Sequence, residues 1–269
     1  MPNTSPILNV MMKAAEKAAR SLLRDFGEVE QLQVSRKGPA DFVTAADKRA
    51  EEIIFEELQK SHGRYSFLME ESGAVKGEEE DHVWIIDPLD GTHNFMHGIP
   101  HWAISIALEK HGEVQAGIVY DPVKDEMFRA EKGTGAFVKN KRLRASGRSN
   151  LEMCTFAIGN PTQNPEHRAR YLREVDNVCI QSPMIRRMGA AALDLCYVAG
   201  GRLDGYWERG VKAWDIAAGC LIVRESGGLV STIDTRENPV HKNQVLAANT
   251  QISEELRKLV KDASKTMAA

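Results

Sequence analysis

The sequence predicts an α+β protein in which two mixed sheets are sandwiched by helices. Two amphipathic helical stretches stand near the start, and short apolar runs separated by turn residues fill the middle. From about residue 151 strand-like and helix-like segments alternate. With 269 residues, 42% of them hydrophobic, the chain can build one large unit or two tightly packed halves. No linker is long enough to separate free domains. The expected organisation is a single unit over 1–269, with halves at about 1–150 and 151–269.

Thr4, Ser5 and Pro6 read as a helix start, and Ile7, Met11, Ala14, Ala18, Leu22 and Phe26 then recur every three or four residues until Gly27. A second helix is expected over about 44–60, with Ala50, Ile53, Ile54 and Leu58 on one face. Between them the Gly38-Pro39 pair of RKGPADFV marks a loop or short hairpin. SFLME (66–70), VWIID (83–87), AISIALEK (103–110) and VQAGIVY (114–120) read as strands, and EMFRA (126–130) completes an antiparallel meander. Further on, 165–175 and 191–199 are helical in pattern, DGYWE (204–208) is a strand, and 214–228 is a helix closed by glycine. VLAAN (245–249) is a last strand and 253–263 a last helix.

Composition excludes several classes. The formal net charge is -3, and Lys and Arg are scattered rather than gathered in a stripe, so tight nucleic-acid binding is not implied. No apolar run reaches the roughly 18 to 20 residues of a membrane span, and MPNTSPILNV lacks the basic start and cleavage site of a signal peptide. A soluble, cytoplasmic protein is expected. Cys154, Cys179, Cys196 and Cys220 are widely spaced and read as free, mostly buried thiols. The eight His form no HExxH or HxxH pair, so any metal must be held by oxygen ligands.

The chemistry lies in acidic residues on apolar elements. In WIIDPLDGTHNF (84–95), Asp87 ends a strand, Pro88 prevents its continuation and Asp90-Gly91 turns the chain, which sets both carboxylates at one strand end. Ordinary turn formation alone would account for them. Glu70 and Glu71 close the preceding strand, where a solvated strand end is the plain alternative. Asp215 follows Trp214 at a helix start, where capping would suffice. Gathered in one pocket, these carboxylates would repel each other unless cations neutralise them. Hard divalent ions such as Mg²⁺ are the natural solution. Two such ions, roughly 3.5 to 4 Å apart, bind phosphate, activate water and stabilise the leaving oxygen. The Gly91 and Thr92 N–H groups, if they open a helix, supply an anion seat. The pattern points to phosphate ester hydrolysis.

DPLDGT, with EES before it and WD after it, resembles the inositol monophosphatase family of Mg²⁺-dependent, lithium-sensitive phosphatases. KGPADFVTAAD (37–47), FLMEESG (67–73), GIPHWAISIAL (98–108), RRMGAAALDL (186–195), DGYWERG (204–210) and AWDIAAG (213–219) fall in family order. The match is closest to the bacterial SuhB-type members. The resemblance implies a layered α-β-α-β-α sandwich of the inositol monophosphatase and fructose bisphosphatase type.

It also implies two or three Mg²⁺ ions. Glu70, Asp87 and the Leu89 carbonyl would hold the first, Asp87, Asp90 and Asp215 the second, and a weaker third would lean on Glu70. Gly91 and Thr92 would meet the phosphate. Asp90, Arg186, Ala191, Glu208 and Asp215 would surround the alcohol. Glu70 and the Thr92 hydroxyl, paired with Asp47, would orient the attacking water. Without the resemblance, Arg186 and Glu208 read as surface charge and Asp47 as the acid of a TAAD capping box. Trp214 reads as a packing anchor, and His93, His97 and His101 as structural or supporting groups. His93, Ala190 and Asn160 stand where relatives often carry hydroxyl residues, and all three touch the substrate side.

The activity implied is hydrolysis of a small phosphorylated alcohol, with myo-inositol 1-phosphate first. Histidinol phosphate, fructose 1,6-bisphosphate and 3'-phosphoadenosine 5'-phosphate are substrates of relatives. A homodimer is implied too. From another class comes a partnership with the transcription machinery, which some SuhB-type proteins have.

Overall fold

The computed structural model describes residues 4–27, 34–38, 41–160 and 165–262. Helix α1 (Pro6–Phe26) begins as its sequence dictates: Ser5 Oγ accepts the Leu8 N–H, and Pro6 occupies the first turn, where no N–H is needed. Strands β1 (Val34–Gly38) and β2 (Asp41–Thr44) pair antiparallel, and residues 39–40 between them lie outside the described residues. Helix α2 (Ala45–His62) follows. Next come β3 (Tyr65–Met69), β4 (Gly73–Val75), β5 (Glu79–Asp90), the short α3 (Thr92–Met96), β6 (Ala103–Lys110), β7 (Glu113–Asp121), β8 (Glu126–Glu131), β9 (Gly135–Val138) and β10 (Lys141–Arg142). The remainder comprises β11 (Phe156–Ile158), α4 (Pro165–Gln181), β12 (Ile185–Arg186), α5 (Ala191–Ala199), β13 (Gly205–Arg209), α6 (Ala213–Glu225), β14 (Leu229–Ser231), β15 (Gln244–Ala248) and α7 (Ser253–Asp262).

Among the described residues an eight-stranded sheet runs β10-β9-β8-β7-β6-β5-β3-β4, and a five-stranded sheet runs β12-β11-β13-β15-β14. Strand periodicity divides the core into layers. Trp84 and Ile86 of β5 pack with α1 and α2 on one face of the large sheet, while Ile85 between them points to the other face, against α5 and α6. On β13, Tyr206 faces those same middle helices, whereas Trp207 faces outward to Val178 of α4 and Leu256 of α7. The order is therefore helices, sheet, helices, sheet, helices, as expected. Burial of α5 and of the middle of α6 (216–223) explains why those stretches are apolar apart from Asp194, since each fully buried aliphatic or aromatic side chain stabilises by about 1.5–3 kcal/mol. No helix among the described residues is long and apolar enough to cross a membrane. The four thiols are free; Cys154, Cys196 and Cys220 are buried, and Cys179 is exposed.

Three local expectations change. Pro88 does not end its strand: β5 continues to Asp90, and the ladder slips, with Asp87 opposite Ser105 and Asp90 opposite Ala103. This bulge absorbs the missing proline N–H. The Leu89 N–H turns instead to Asp87 Oδ1 at 2.9 Å. The helix starting at Pro165 also continues past 175 to Gln181, because Val178 is buried against the outer face of the small sheet. Short strands such as β4, β10 and β12 were not expected, since two or three residues are too few to show a period.

Candidate active site

The bulge at Pro88 aims Asp87 and Asp90 to the same end of β5. Gly91 then turns the chain with φ 95°, and a Cβ there would come within 3.1 Å of the His101 carbonyl. Thr92 opens α3. Asn94 ties this turn to the second half of the chain, donating to the carbonyls of His101 at 2.7 Å and Met188 at 2.9 Å. Helix α2 braces the same turn from the other side. Its Asp47 accepts from the Thr92 hydroxyl at 3.1 Å, and one turn later Glu51 accepts the Glu71 N–H at 2.8 Å and the Ser72 hydroxyl, which fixes the turn carrying Glu70. The expected cap contact of Asp47 with Thr44 involves the Thr44 side chain, which is not among those described.

From the second half, α6 brings Asp215. Its carboxylate accepts the Lys212 N–H at 2.7 Å, so the capping use foreseen from the sequence is real and coexists with a place in the pocket. Asp90 Oδ2 accepts the Ala192 N–H at 2.7 Å, capping α5 from across the molecule where Ala190 offers no side-chain cap. Asp87, Asp90 and Asp215 thus each accept one backbone N–H.

These carboxyls crowd one another. Burial pushes Asp87 well above the ordinary range, with Glu70, Asp90 and Asp215 adding to it. Asp90 and Asp215 are half-buried in the cavity wall. This desolvation raises Asp90, with Asp215 adding to the rise and the Ala192 N–H opposing it. It also raises Asp215 to about 8, opposed by the Lys212 N–H and reinforced by Glu70 and Glu208. Such a donor set is charge-deficient and fits hard cations. Among the described residues no group of three or more His, Cys, Asp or Glu side chains stands arranged to hold a metal ion as it is. Mg²⁺ would need water and a substrate oxygen to complete its shell here.

Glu70, Asp90, Gly91, Thr92, Ala191, Glu208 and Asp215 line one cavity of about 200 Å³. Asp87 and Leu89 are buried behind it; the Leu89 carbonyl accepts from Thr92 Oγ1 at 3.0 Å. Arg186 is not brought to the cavity lining. Its side chain is exposed on β12, an edge strand of the small sheet, and donates to the Ile185 carbonyl at 3.1 Å. Glu208 accepts from the Tyr206 hydroxyl and the Asn160 N–H, and lies against Gly159, where a Cβ would overlap its carboxyl carbon. With Gly159 and Asn160, Glu208 also borders a neighbouring cavity of about 390 Å³.

Three residues of this arrangement escaped the sequence reading. Gly159 gave no signal distinct from a loop glycine. Glu51 looked like one more acid on a helix surface. Asp194 was detectable in principle, as the only charge in AALDLCYVA, and it lines the cavity while being 1% exposed.

A family-wide sequence profile described as the inositol monophosphatase family matches residues 3–266. The chain belongs to the inositol monophosphatase family. It is 52% identical to the inositol-1-monophosphatase of Mesorhizobium japonicum, over 96% of this chain and 97% of that one. It is 42% identical to the Nus factor SuhB of Pasteurella multocida, over 94% of each. The crystal structure of extragenic suppressor protein suhB from Bartonella henselae superimposes with a TM-score of 0.92 at 51% identity, covering 96% of this chain and 99% of that one. The inositol monophosphatase family is generally metal-dependent, and its members' phosphomonoesterase chemistry accords with the crowded carboxylates described above.

Proposed function

We propose that this chain is a Mg²⁺-dependent inositol-1-monophosphatase that hydrolyses small phosphorylated alcohols, with myo-inositol 1-phosphate as the leading substrate. The observation that carries the reading is the convergence of Glu70, Asp87, Asp90 and Asp215 beside a Thr92–Asp47 hydrogen bond. Glu70, Asp87, the Leu89 carbonyl, Asp90 and Asp215 would hold two or three ions. Bound Mg²⁺ neutralises these carboxylates, polarises the phosphate and makes a water nucleophilic.

The protein's own part is positioning and proton handling. The Gly91 and Thr92 N–H groups receive the phosphate. Glu70 orients the attacking water. Thr92 Oγ1 accepts a proton from that water as its own proton passes toward Asp47, whose burial keeps competing water away. Asp90, Ala191, Glu208 and Asp215 surround the alcohol. Arg186 would join them from the pocket's edge, its exposed side chain lying outside the cavity lining. The test is phosphate release across small phosphomonoesters, including histidinol phosphate, fructose 1,6-bisphosphate and 3'-phosphoadenosine 5'-phosphate, with and without Mg²⁺. Preference for myo-inositol 1-phosphate supports the reading, and preference for another of these replaces the substrate while keeping the chemistry.

The relatives named Nus factor SuhB support a second role, a partnership with the transcription machinery, and the protein would act as a homodimer. Retention of RNA polymerase subunits on the immobilised protein tests the partnership, and light scattering tests the dimer. The phosphatase reading stands first because the relatives at 48 and 52% identity carry the inositol-1-monophosphatase name.

A further inference from the structure

Asp194 stands in the first turn of α5, an otherwise apolar helix, and is 1% exposed. Its Oδ1 is buried with no hydrogen-bond partner among the described residues. Burial, with Glu208 and Asp90 nearby, holds the carboxyl well above the usual range. Other acids in the same cavity wall are engaged: Glu208 by Tyr206 and Asn160, Asp90 by Ala192, Asp215 by Lys212. A buried polar atom left without a partner lowers stability, so an apolar residue of the same shape would suit the fold better. Asp194 lines the cavity together with Asp90 and Glu208, so a group bound there can supply the missing partner.

Building on the phosphatase reading, we propose that Asp194 is a specificity residue whose carboxyl hydrogen-bonds a hydroxyl of the substrate's alcohol portion. The site then selects phosphorylated polyols over phosphate esters that lack further hydroxyls. A site built to pair with a hydroxyl discriminates strongly against an analogue without one, because its own polar group is left buried and unpaired.

The experiment uses the full chain loaded with Mg²⁺, as wild type, Asp194→Leu and Asp194→Asn. It reads kcat/KM for myo-inositol 1-phosphate and for p-nitrophenyl phosphate, together with Tm. Asp194→Leu is expected to lose at least about tenfold on myo-inositol 1-phosphate, the scale of one hydrogen bond. On p-nitrophenyl phosphate it should stay within about threefold. Its Tm should equal or exceed that of wild type, and Asp194→Asn should recover most of the loss. Equal losses on both substrates, no loss on either, or a Tm that falls in step with activity would overturn the proposal. A wild type inactive on both substrates would overturn the phosphatase reading itself, and with it this proposal. An active wild type with an unselective Asp194→Leu overturns the Asp194 assignment alone.

Discussion

Thr92 Oγ1 lies 3.1 Å from Asp47 Oδ1, a contact between α3 and α2 that spans 45 positions of sequence. The same hydroxyl is 3.0 Å from the Leu89 carbonyl. One hydroxyl hydrogen serves one of these acceptors fully at a time. Where a cation engages the Leu89 carbonyl, Asp47 is the remaining acceptor, which suits a proton path away from the attacking water.

Asp47→Asn keeps an oxygen for Thr92 and removes the charge. The expected stability loss is about 1 kcal/mol or less, with a rate loss of at least roughly 100-fold. Thr92→Val should fall similarly, and the double variant should cost little more than either. Thermal melts and initial rates per folded molecule check this. An Asp47→Asn variant that melts early yet turns over normally would make Asp47 a structural residue only.

Gly159→Ala forces Glu208 from its place, because the new Cβ and the Glu208 carboxyl carbon cannot share the space. The loss on myo-inositol 1-phosphate should reach about tenfold, with a much smaller loss on p-nitrophenyl phosphate. Glu208→Gln should shift the same ratio. Arg186→Gln should shift that ratio less than Glu208→Gln does, because its exposed side chain lies outside the cavity lining. A uniform loss in the Glu208 variants would remove Glu208 from the alcohol side.

Metal affinity should rise with pH. In the metal-free protein Asp215 is raised from 3.8 to about 8. The folded state keeps a proton that the unfolded chain has already lost, so this group's contribution to stability is present in full below 3.8 and is lost as pH rises through about 8. Ion binding must displace that proton. Between about pH 6 and 8 the Mg²⁺ affinity should tighten by up to roughly tenfold per unit for each proton released, then level off. Calorimetric titration in buffers of different ionisation heat measures both affinity and protons; a pH-independent affinity with no proton release contradicts the assignment.

Asp90→Asn should abolish most activity while leaving the fold intact. The amide oxygen can still accept the Ala192 N–H that caps α5, and only the metal-binding charge is lost. A near-normal Tm with near-normal activity would reduce Asp90 to a turn and capping residue.

Much of this was legible in the sequence because the layers depend on strong periodic signals. The three-and-four spacing from Ile7 to Phe26 and the alternation of Trp84, Ile85 and Ile86 can each satisfy only one burial pattern. The site was legible where acids interrupt such patterns, at Asp87, Asp90 and Asp215. It was not legible where one feature fits two outcomes. Pro88 suits a strand end or a bulge, and only the partner strand β6 decides which. Arg186 carries the same sequence whether it faces the pocket or solvent, and only the fold places its exposed side chain outside the cavity lining. Gly159 matters solely because Glu208, distant in sequence, packs onto it.

The central claim, a cation-dependent phosphomonoesterase at the Asp87–Asp90–Asp215 cluster, is tested most directly by the initial rate of phosphate release from myo-inositol 1-phosphate. The rate is followed after complete chelation and again after Mg²⁺ is returned. The account predicts that chelation abolishes release and that Mg²⁺ restores it to the original rate. Appreciable turnover in the thoroughly chelated protein would contradict it.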